Sequence, residues 1–396
     1  MSNMHDVAAP GPLSGRRVVE LGVWVAGPAA GGLMADWGAD VIKVEPPAGD
    51  PQRSVFGAVG IAGQAGLPPF EIDNRGKRSV VLNLQQPQAL EQMHQLLETA
   101  DVFITNVRPA ALERLGLDHQ TVLARHPRLV YASLTGYGLQ GPERDRAGYD
   151  IGAFWARSGQ AFAIVPPGQM PPALRSGVGD HTTGIALLAG ILAKLLERER
   201  TGHGGLVATS LLRTGMYTLG WDIGIMLRFG KREGTRSREF SRAPLVNCYQ
   251  TGDGRGIWLL LLEGDRHWPN LIAALDRPDL AADARFADAR ARRTNSVDLV
   301  AGLDQAFAQW NYADLVRRFD EHDVWWAPIN SIADVIADPQ AIAAGAFVDM
   351  TPRDGEAPYR AVNGPVDFDD RRPVPGPVPE LGEHTAEVLA ELESRN

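Results

Sequence analysis

The chain has 396 residues, 44% hydrophobic and 22% charged, the balance of a globular protein with room for one large or two ordinary domains. A formal net charge of −9 excludes a nucleic-acid binder or a polybasic membrane-surface protein. One cysteine, Cys248, excludes an internal disulfide framework or a thiolate metal cluster and suits a reducing cytoplasm.

The opening stretch MSNMHDVAAPGPLSG lacks a basic region followed by an apolar core, so no signal peptide is expected. Strands are then predicted at Arg17–Leu21, Asp40–Val44, Ser79–Asn83, Val102–Asn106 and Leu129–Leu134. Helical patterns fall between them at Pro28–Trp37, Gln88–Thr99, Ala110–Leu115 and His119–Arg125. This alternation predicts an α/β fold, a Rossmann-like large domain on a largely parallel sheet. A long apolar helix follows in HTTGIALLAGILAKLLERER and closes at Gly202. The stretch LVATSLLRTGMYTLGWDIGIMLRF is interrupted by Arg213, Asp222 and several glycines, so no membrane span is expected. Residues 230–244, GKREGTRSREFSRAP, form a polar, arginine-rich connection or binding loop. NCYQTGDGRGIWLLLLEG predicts a hairpin turning at Gly252–Gly254, with helices around His267–Ala274 and Ser296–Gln309. These make a smaller α+β domain. From Arg371 the tail is proline-rich and is expected to lie along a surface before a short final helix.

The segment VVELGVWVAGPAAGGLMADWGADVIKVEPP, Val18 to Pro47, has the strand, turn, helix, strand and terminal acid (Glu45) of a dinucleotide-binding unit. A fingerprint of that kind needs paired early glycines for the turn and the pyrophosphate. Here the turn runs Gly22-Val-Trp-Val-Ala-Gly27-Pro28, and Val23 and Trp24 occupy the pyrophosphate's place. Pro28 suits the first helical position. Taken alone, the segment is a plain βαβ unit.

The same segment resembles the N-terminal signature of the family III CoA-transferases, the CaiB/BaiF family, which includes formyl-CoA transferase, carnitine CoA-transferases and α-methylacyl-CoA racemase. The likeness continues in DNRGKRSVVLNL, TNVRPAALERLGLD, RLVYASLTGYGLQGP and AGYDIGAFWARSG. It resumes in GVGDHTTGIALLAGILAKLLERERTGHG, YQTGDGRGIWL, WAPINSIADVIADPQ and LGEHTAEVL, and so covers nearly the whole chain. The resemblance implies that the opening unit binds the adenosine-diphosphate end of coenzyme A. It also implies an interlocked homodimer, with a large domain from residues 1–225, a small one from 226–330, and 331–396 returning to the large domain.

Asp180 in GVGDHTTG has two readings. Before Thr182, Thr183 and an apolar helix it suits an N-cap, worth about 1 kcal/mol. By resemblance it is the acyl-carrying nucleophile, and a helix N-terminus would hold its carboxylate ionised. Gly177 and Gly179 would then leave room for a thioester. Asp150 reads as a turn aspartate or as a second catalytic carboxylate. Beside it stands Tyr149, where the racemase branch carries histidine. A phenol, with a reference pKa of about 10, is a far weaker base, so transfer is expected over racemisation.

Asn74, Arg75, Lys77, Arg78, Asn106, Arg108 and Arg114 sit in or near loops adjoining predicted strands, where cationic and amide donors suit a pyrophosphate and a 3′-phosphate. Any one arginine by itself reads more readily as surface charge than as a ligand, and the clustering near strand ends in a chain of net charge −9 is what favours a site. By resemblance Val25, Ala26, Asn106 and Arg114 line the CoA site. Arg232, Arg236, Arg238 and Arg242 either clamp a dicarboxylate or are solvated. None of the nine histidines has H-E-x-x-H or H-x-x-E-H spacing, so no metal is expected. Ser176 and Ser210 lie outside any G-x-S-x-G, and Trp325 and Trp326 read as core or interface. The family's glycine-run loop of formyl transfer is absent, and GHGGLVATS lacks the glutamine that relatives commonly carry after the glycine.

The resemblance thus implies a cytoplasmic acyl-CoA:carboxylate CoA-transferase working through an aspartyl mixed anhydride and an aspartyl-CoA thioester. Its partners would be acyl-CoA and a carboxylic acid, with no permanently bound cofactor. An acyl-CoA racemase or epimerase, or a CoA-binding protein without turnover, are the alternatives.

Overall fold

The structure, a computed structural model, describes residues 11–55, 66–231, 234–350, 357–369 and 375–394. It divides into two compact units. The larger draws its described residues from the chain up to 162, from 172–232 and from 343 onwards, and the smaller from 163–171 and 233–342.

Six parallel strands form the sheet of the larger unit: β1 (Arg17–Leu21), β2 (Asp40–Glu45), β3 (Arg78–Val81), β4 (Val102–Thr105), β5 (Val130–Thr135) and β6 (Gly205–Ser210). Their order is β3-β2-β1-β4-β5-β6, the doubly wound arrangement, with Val18 registered between Val41 and Val102. Alternate residues serve opposite faces. Val18, Val41, Ile104 and Val130 pack under the first helix, Ala26–Asp36, and the long helix, Val178–Thr201. Val19, Ile42, Phe103 and Tyr131 pack under Pro87–Thr99, His119–Arg125 and the final helix, Thr385–Glu393. Burial on both faces is why these strands read as continuous apolar runs.

Two helix starts differ from expectation. The first helix begins at Ala26, so Pro28 is its third residue. The long helix begins at Val178, three residues before the predicted run. Its Gly184 faces Ala29, where a Cβ would stand 3.0 Å from the Ala29 Cβ and from the Ala26 carbonyl oxygen. Small residues therefore let the two helices cross closely. No described helix is long and apolar enough to cross a membrane.

The proline-rich tail runs along the β2–β3 side of the sheet. The Gly76 N–H donates to the Pro377 carbonyl at 2.8 Å, Arg53 to the Pro379 carbonyl at 3.1 Å, and the Gly382 N–H to Ser79 Oγ at 2.9 Å. Val388 and Leu392 then bury in the core. Met350 and Tyr359 pair in a further hairpin, β10 (Phe347–Met350) with β11 (Tyr359–Val362).

In the smaller unit the expected hairpin forms from β7 (Cys248–Gln250) and β8 (Gly256–Leu259). A third strand, β9 (Trp326–Ile329), joins β8 antiparallel. Leu271, Leu303, Phe307 and Phe319 from three helices fill its core.

Candidate active site

The sheet reverses its strand order between β1 and β4, and the crevice beyond their carboxyl ends is where doubly wound folds place ligands. The loop Gly22–Val25 leaves β1 there, and Asn106, directly after β4, holds it. The Asn106 Nδ2 donates to the Val23 carbonyl at 2.7 Å, and its Oδ1 accepts the Val23 N–H at 3.0 Å. Next in the loop, Trp24 has φ of 62°, a left-handed backbone that costs a bulky residue about 1–3 kcal/mol. Its N–H donates to Asp50 Oδ1 at 3.0 Å, and its ring meets the Tyr149 ring edge-on at 5.9 Å.

A buried ion cluster supports this loop. Glu20 lies 3.1 Å from Lys43 Nζ and 2.7 Å from Lys77 Nζ, and Lys43 also reaches Asp50 at 2.9 Å. Burial opposes charge on Glu20, but the two ammonium groups hold its carboxyl below the ordinary range.

Asp180 stands at the start of the long helix. Gly177, with φ of 84°, caps that helix, so Asp180 is not the N-cap; it is the third helical residue. The Gly177 N–H donates to Asp150 Oδ2 at 3.0 Å, while Asp150 Oδ1 accepts the Ile151 N–H at 2.7 Å. Asp150 is only 7% exposed and ties the π-type turn Ile151–Ala156 to the helix start. Tyr149 beside it is exposed. The space at Gly179 serves packing rather than a thioester, because a Cβ would lie 2.6 Å from Phe154 Cγ and 2.8 Å from Asp150 Cβ.

Burial and neighbouring charges work against the expected effect of the helix terminus on Asp180. Burial, then the Asp150 charge and more weakly that of Asp73, push its carboxyl up to about 7, against the opposing charge of His181. A carboxyl so placed divides between its two protonation states near neutral pH.

Most of the predicted phosphate donors are already engaged. Lys77 is buried and donates to Glu20, to the Pro28 carbonyl at 3.0 Å and to Asn74 Oδ1 at 3.1 Å. Asn74 is buried, its Nδ2 donating to the Phe70 carbonyl at 2.9 Å. Arg75 forks onto Asp36 at 2.7 Å, and Arg78 bridges Asp40 and Glu391 at 2.7 and 2.6 Å. Lys77 and Asn74 thus brace the start of the first helix, Arg75 ties the end of that helix to the Val362 carbonyl, and Arg78 ties β3 to β2 and the final helix. Arg108 and Arg114 differ: both are exposed, and neither side chain has a hydrogen-bond or ion-pair partner among the described residues. Val25 and Ala26 form the start of the first helix, with Val25 Cγ1 4.0 Å from the Cβ position of Gly177.

Of the four arginines in the 230–244 loop, Arg232 lies outside the described residues. Arg238 is committed within the smaller unit, its Nε donating to the Cys248 carbonyl at 2.7 Å and its Nη1 to Asp304 at 3.1 Å. Arg236 and Arg242 also make interactions of their own.

The sequence profile of CoA-transferase family III matches residues 13–385. The chain belongs to that family. This family III chain is 34% identical to the (R)-2-hydroxy-4-methylpentanoate CoA-transferase of Clostridioides difficile, aligning 96% of this chain and 95% of that protein. It is also 34% identical to the succinate–glutarate CoA-transferase of Agrobacterium fabrum, over 97% and 96% of the two chains. The crystal structure of a CaiB/BaiF family protein from Brucella suis superposes with a TM-score of 0.83 at 32% identity, covering 97% of this chain and 100% of that one. The resemblance carried by the motifs therefore holds across the chain, and this family III protein is a CoA-transferase.

One residue of the site escaped the sequence analysis. His181 has no metal-ligand spacing, yet its Nε2 lies 3.0 Å from Asp73 Oδ1, a partner 108 positions away. Its adjacency to Asp180 is the signal that was available.

Proposed function

We propose that this family III enzyme transfers CoA from an acyl-CoA to a free carboxylic acid, with Asp180 as covalent carrier. The observation that carries this reading is the Asp180 carboxyl, poised near neutrality at the start of the long helix, whose cap Gly177 lies against Val25 of the loop that leaves β1. Ionised Asp180 attacks the acyl-CoA carbonyl, and the CoA thiolate leaves behind a mixed anhydride. The thiolate then attacks the aspartyl carbonyl, releasing the donor acid and leaving an aspartyl-CoA thioester. An acceptor carboxylate attacks that thioester and expels the thiolate to form a second anhydride. Attack of the thiolate on the acceptor's carbonyl yields the new acyl-CoA and restores Asp180. Every step exchanges one activated acyl group for another, so no ATP is consumed.

Incubation with an acyl-CoA donor alone should trap the intermediate. Hydroxylamine then converts the activated carboxyl to a hydroxamate, and peptide mapping should place it within SGVGDHTTG, where Asp180 is the one acidic residue. Inactivation without donor, or modification at Asp150 or Cys248, would refute the assignment.

In this reading Arg108 and Arg114 meet the CoA phosphates, Val25 and Ala26 line the same loop, Asn106 holds it, and Lys77 and Asn74 support the start of the first helix behind it, while Arg78 is committed to Asp40 and Glu391 instead. A charge-assisted hydrogen bond contributes about 1.5–3 kcal/mol. Arg114→Ala or Arg108→Ala should therefore raise KM for acyl-CoA roughly tenfold, with kcat changed by less than about twofold. An unchanged KM in both variants removes them from the site.

The enzyme's partner is a second copy. The helix Gly220–Phe229 has no buried residue and exposes Trp221, Leu227 and Phe229, an apolar face that calls for cover. Light scattering should give twice the chain mass, and a monomer at micromolar concentration would refute the homodimer.

A further inference from the structure

Asp150, Asp180 and Asp73 converge on the first turn of the long helix, and the charges of Asp150 and Asp73 both bear on Asp180. Asp73 comes from the helix Pro68–Asn74 and is 2% exposed. Burial and the charges of Asp150 and Asp73 oppose ionisation of Asp180, and ionised Asp180 is what the transfer chemistry requires. The nearby cations are spoken for. Lys43 and Lys77 lie on Glu20, and Arg75 lies on Asp36. The charge that opposes the carboxylates at Asp180 is that of His181.

We infer that His181, held as an imidazolium by Asp73, is the positioning and charge-setting residue that keeps Asp180 ionised for attack. This rests on the assignment of Asp180 as the nucleophile.

The geometry gives the imidazolium two holds. Nε2 meets Asp73 Oδ1 at 3.0 Å, and the ring's other edge lies against Gly177, whose Cβ position would be 3.2 Å from Nδ1. The hydrogen bond to Asp73 raises the His181 pKa against burial, and the charges of Asp73 and Asp180 and the Gly177 carbonyl add to the rise. A cation at a helix N-terminus is disfavoured by the helix dipole, so the Asp73 partner is what makes it tenable. The same ring, with Asp73, lines a cavity of about 230 Å³ together with Ile185 and the Val362–Pro365 segment. The other charged groups of that cavity, Asp36 from the first helix and Arg75, are paired with each other at 2.7 Å. They leave Asp73 as the counter-ion of His181.

The test compares two near-isosteric variants by the pH dependence of kcat/KM for CoA transfer. In His181→Asn the cation is gone, so the acidic limb should move up by about one pH unit. Activity near pH 6 then falls roughly tenfold and recovers by pH 8.5. Asp73→Asn takes away the counter-ion that makes the imidazolium tenable, so the ring becomes neutral and this limb should also move up, by less than in His181→Asn because a negative charge near Asp180 goes with it. Upward displacement in both variants is the signature of charge, and a limb that moves down in Asp73→Asn would show that His181 stays charged without Asp73 and overturn the inference. A uniform loss at every pH with both limbs unmoved would show a merely structural role and overturn the inference, as would unchanged profiles. Should His181→Asn fail to fold, the ring NMR signals of His181 in the wild-type enzyme decide: an imidazolium at pH 7 supports the inference and a neutral ring overturns it. If the wild type transfers no CoA, or Asp180→Asn transfers at the wild-type rate, the functional reading fails instead, and the NMR titration still tests the pair.

Discussion

Asp180→Asn should abolish CoA transfer, by about 10³-fold or more, and at the same time stabilise the protein at pH 8. The loss follows from removing the nucleophile while leaving its shape. The gain follows from linkage. The folded carboxyl titrates at about 7, above its ordinary 3.8, so the native state binds the proton more tightly than the unfolded chain does. The stability contributed by the protonated form is fully present below the unfolded value and is lost as pH rises through about 7. At pH 8 the wild type bears the cost of an ionised, half-buried carboxylate that asparagine avoids. The full linkage value would be about 4 kcal/mol at 1.36 kcal/mol per unit, and partial exposure reduces it to on the order of 2 kcal/mol. No cap is lost in exchange, because Gly177 occupies that position and Asp180 makes no capping bond. Scanning calorimetry should therefore show a Tm gain of a few degrees at pH 8 that vanishes near pH 4. A variant less stable than wild type at pH 8, or one that still transfers CoA, contradicts the account.

Lys77→Met should destabilise the larger unit by about 3–5 kcal/mol. Its ammonium is wholly buried and satisfies Glu20, the Pro28 carbonyl and Asn74 at once. Truncation leaves Glu20 with Lys43 as its remaining side-chain cation, while Lys43 must also serve Asp50. Were Lys77 a phosphate contact, the variant would instead keep its Tm and raise KM for acyl-CoA. Denaturant unfolding and steady-state kinetics on the same preparation separate the two outcomes. Adding Glu20→Gln to Lys77→Met should recover part of the lost stability, since the uncompensated charge goes with it.

Much of the larger unit was legible because its signals are local. The runs at Val18–Leu21, Val41–Val44 and Val102–Ile104 are apolar without interruption, as strands buried on both faces must be. β6 was passed over because it lies at the sheet's edge and its Leu206 stays partly exposed. β9 was missed for another reason. Its segment, Trp326–Ile329, becomes a strand by pairing with β8, a partner far back in the chain. The start of the long helix was misplaced because VGD carries no apolar periodicity, and a left-handed Gly177 leaves little mark in the sequence beyond the glycine itself.

By itself the sequence determined the α/β class, the hairpin of the smaller unit, the tail that ends in a helix, and the membership in CoA-transferase family III. These rest on periodicity, turn residues and motif order, which adjacent residues carry among themselves. Only the tertiary structure decided which charged residues are scaffold and which remain free for a ligand. Lys77 and Arg114 are alike as letters between strands and helices. One is locked onto a glutamate 57 positions away, and the other is exposed and has no partner among the described residues. The cost of burying a charge is met by whichever opposite charge the fold brings beside it, and that proximity is a property of packing rather than of neighbouring letters. For the same reason His181 was one histidine among nine until Asp73, 108 positions earlier, was seen against its ring.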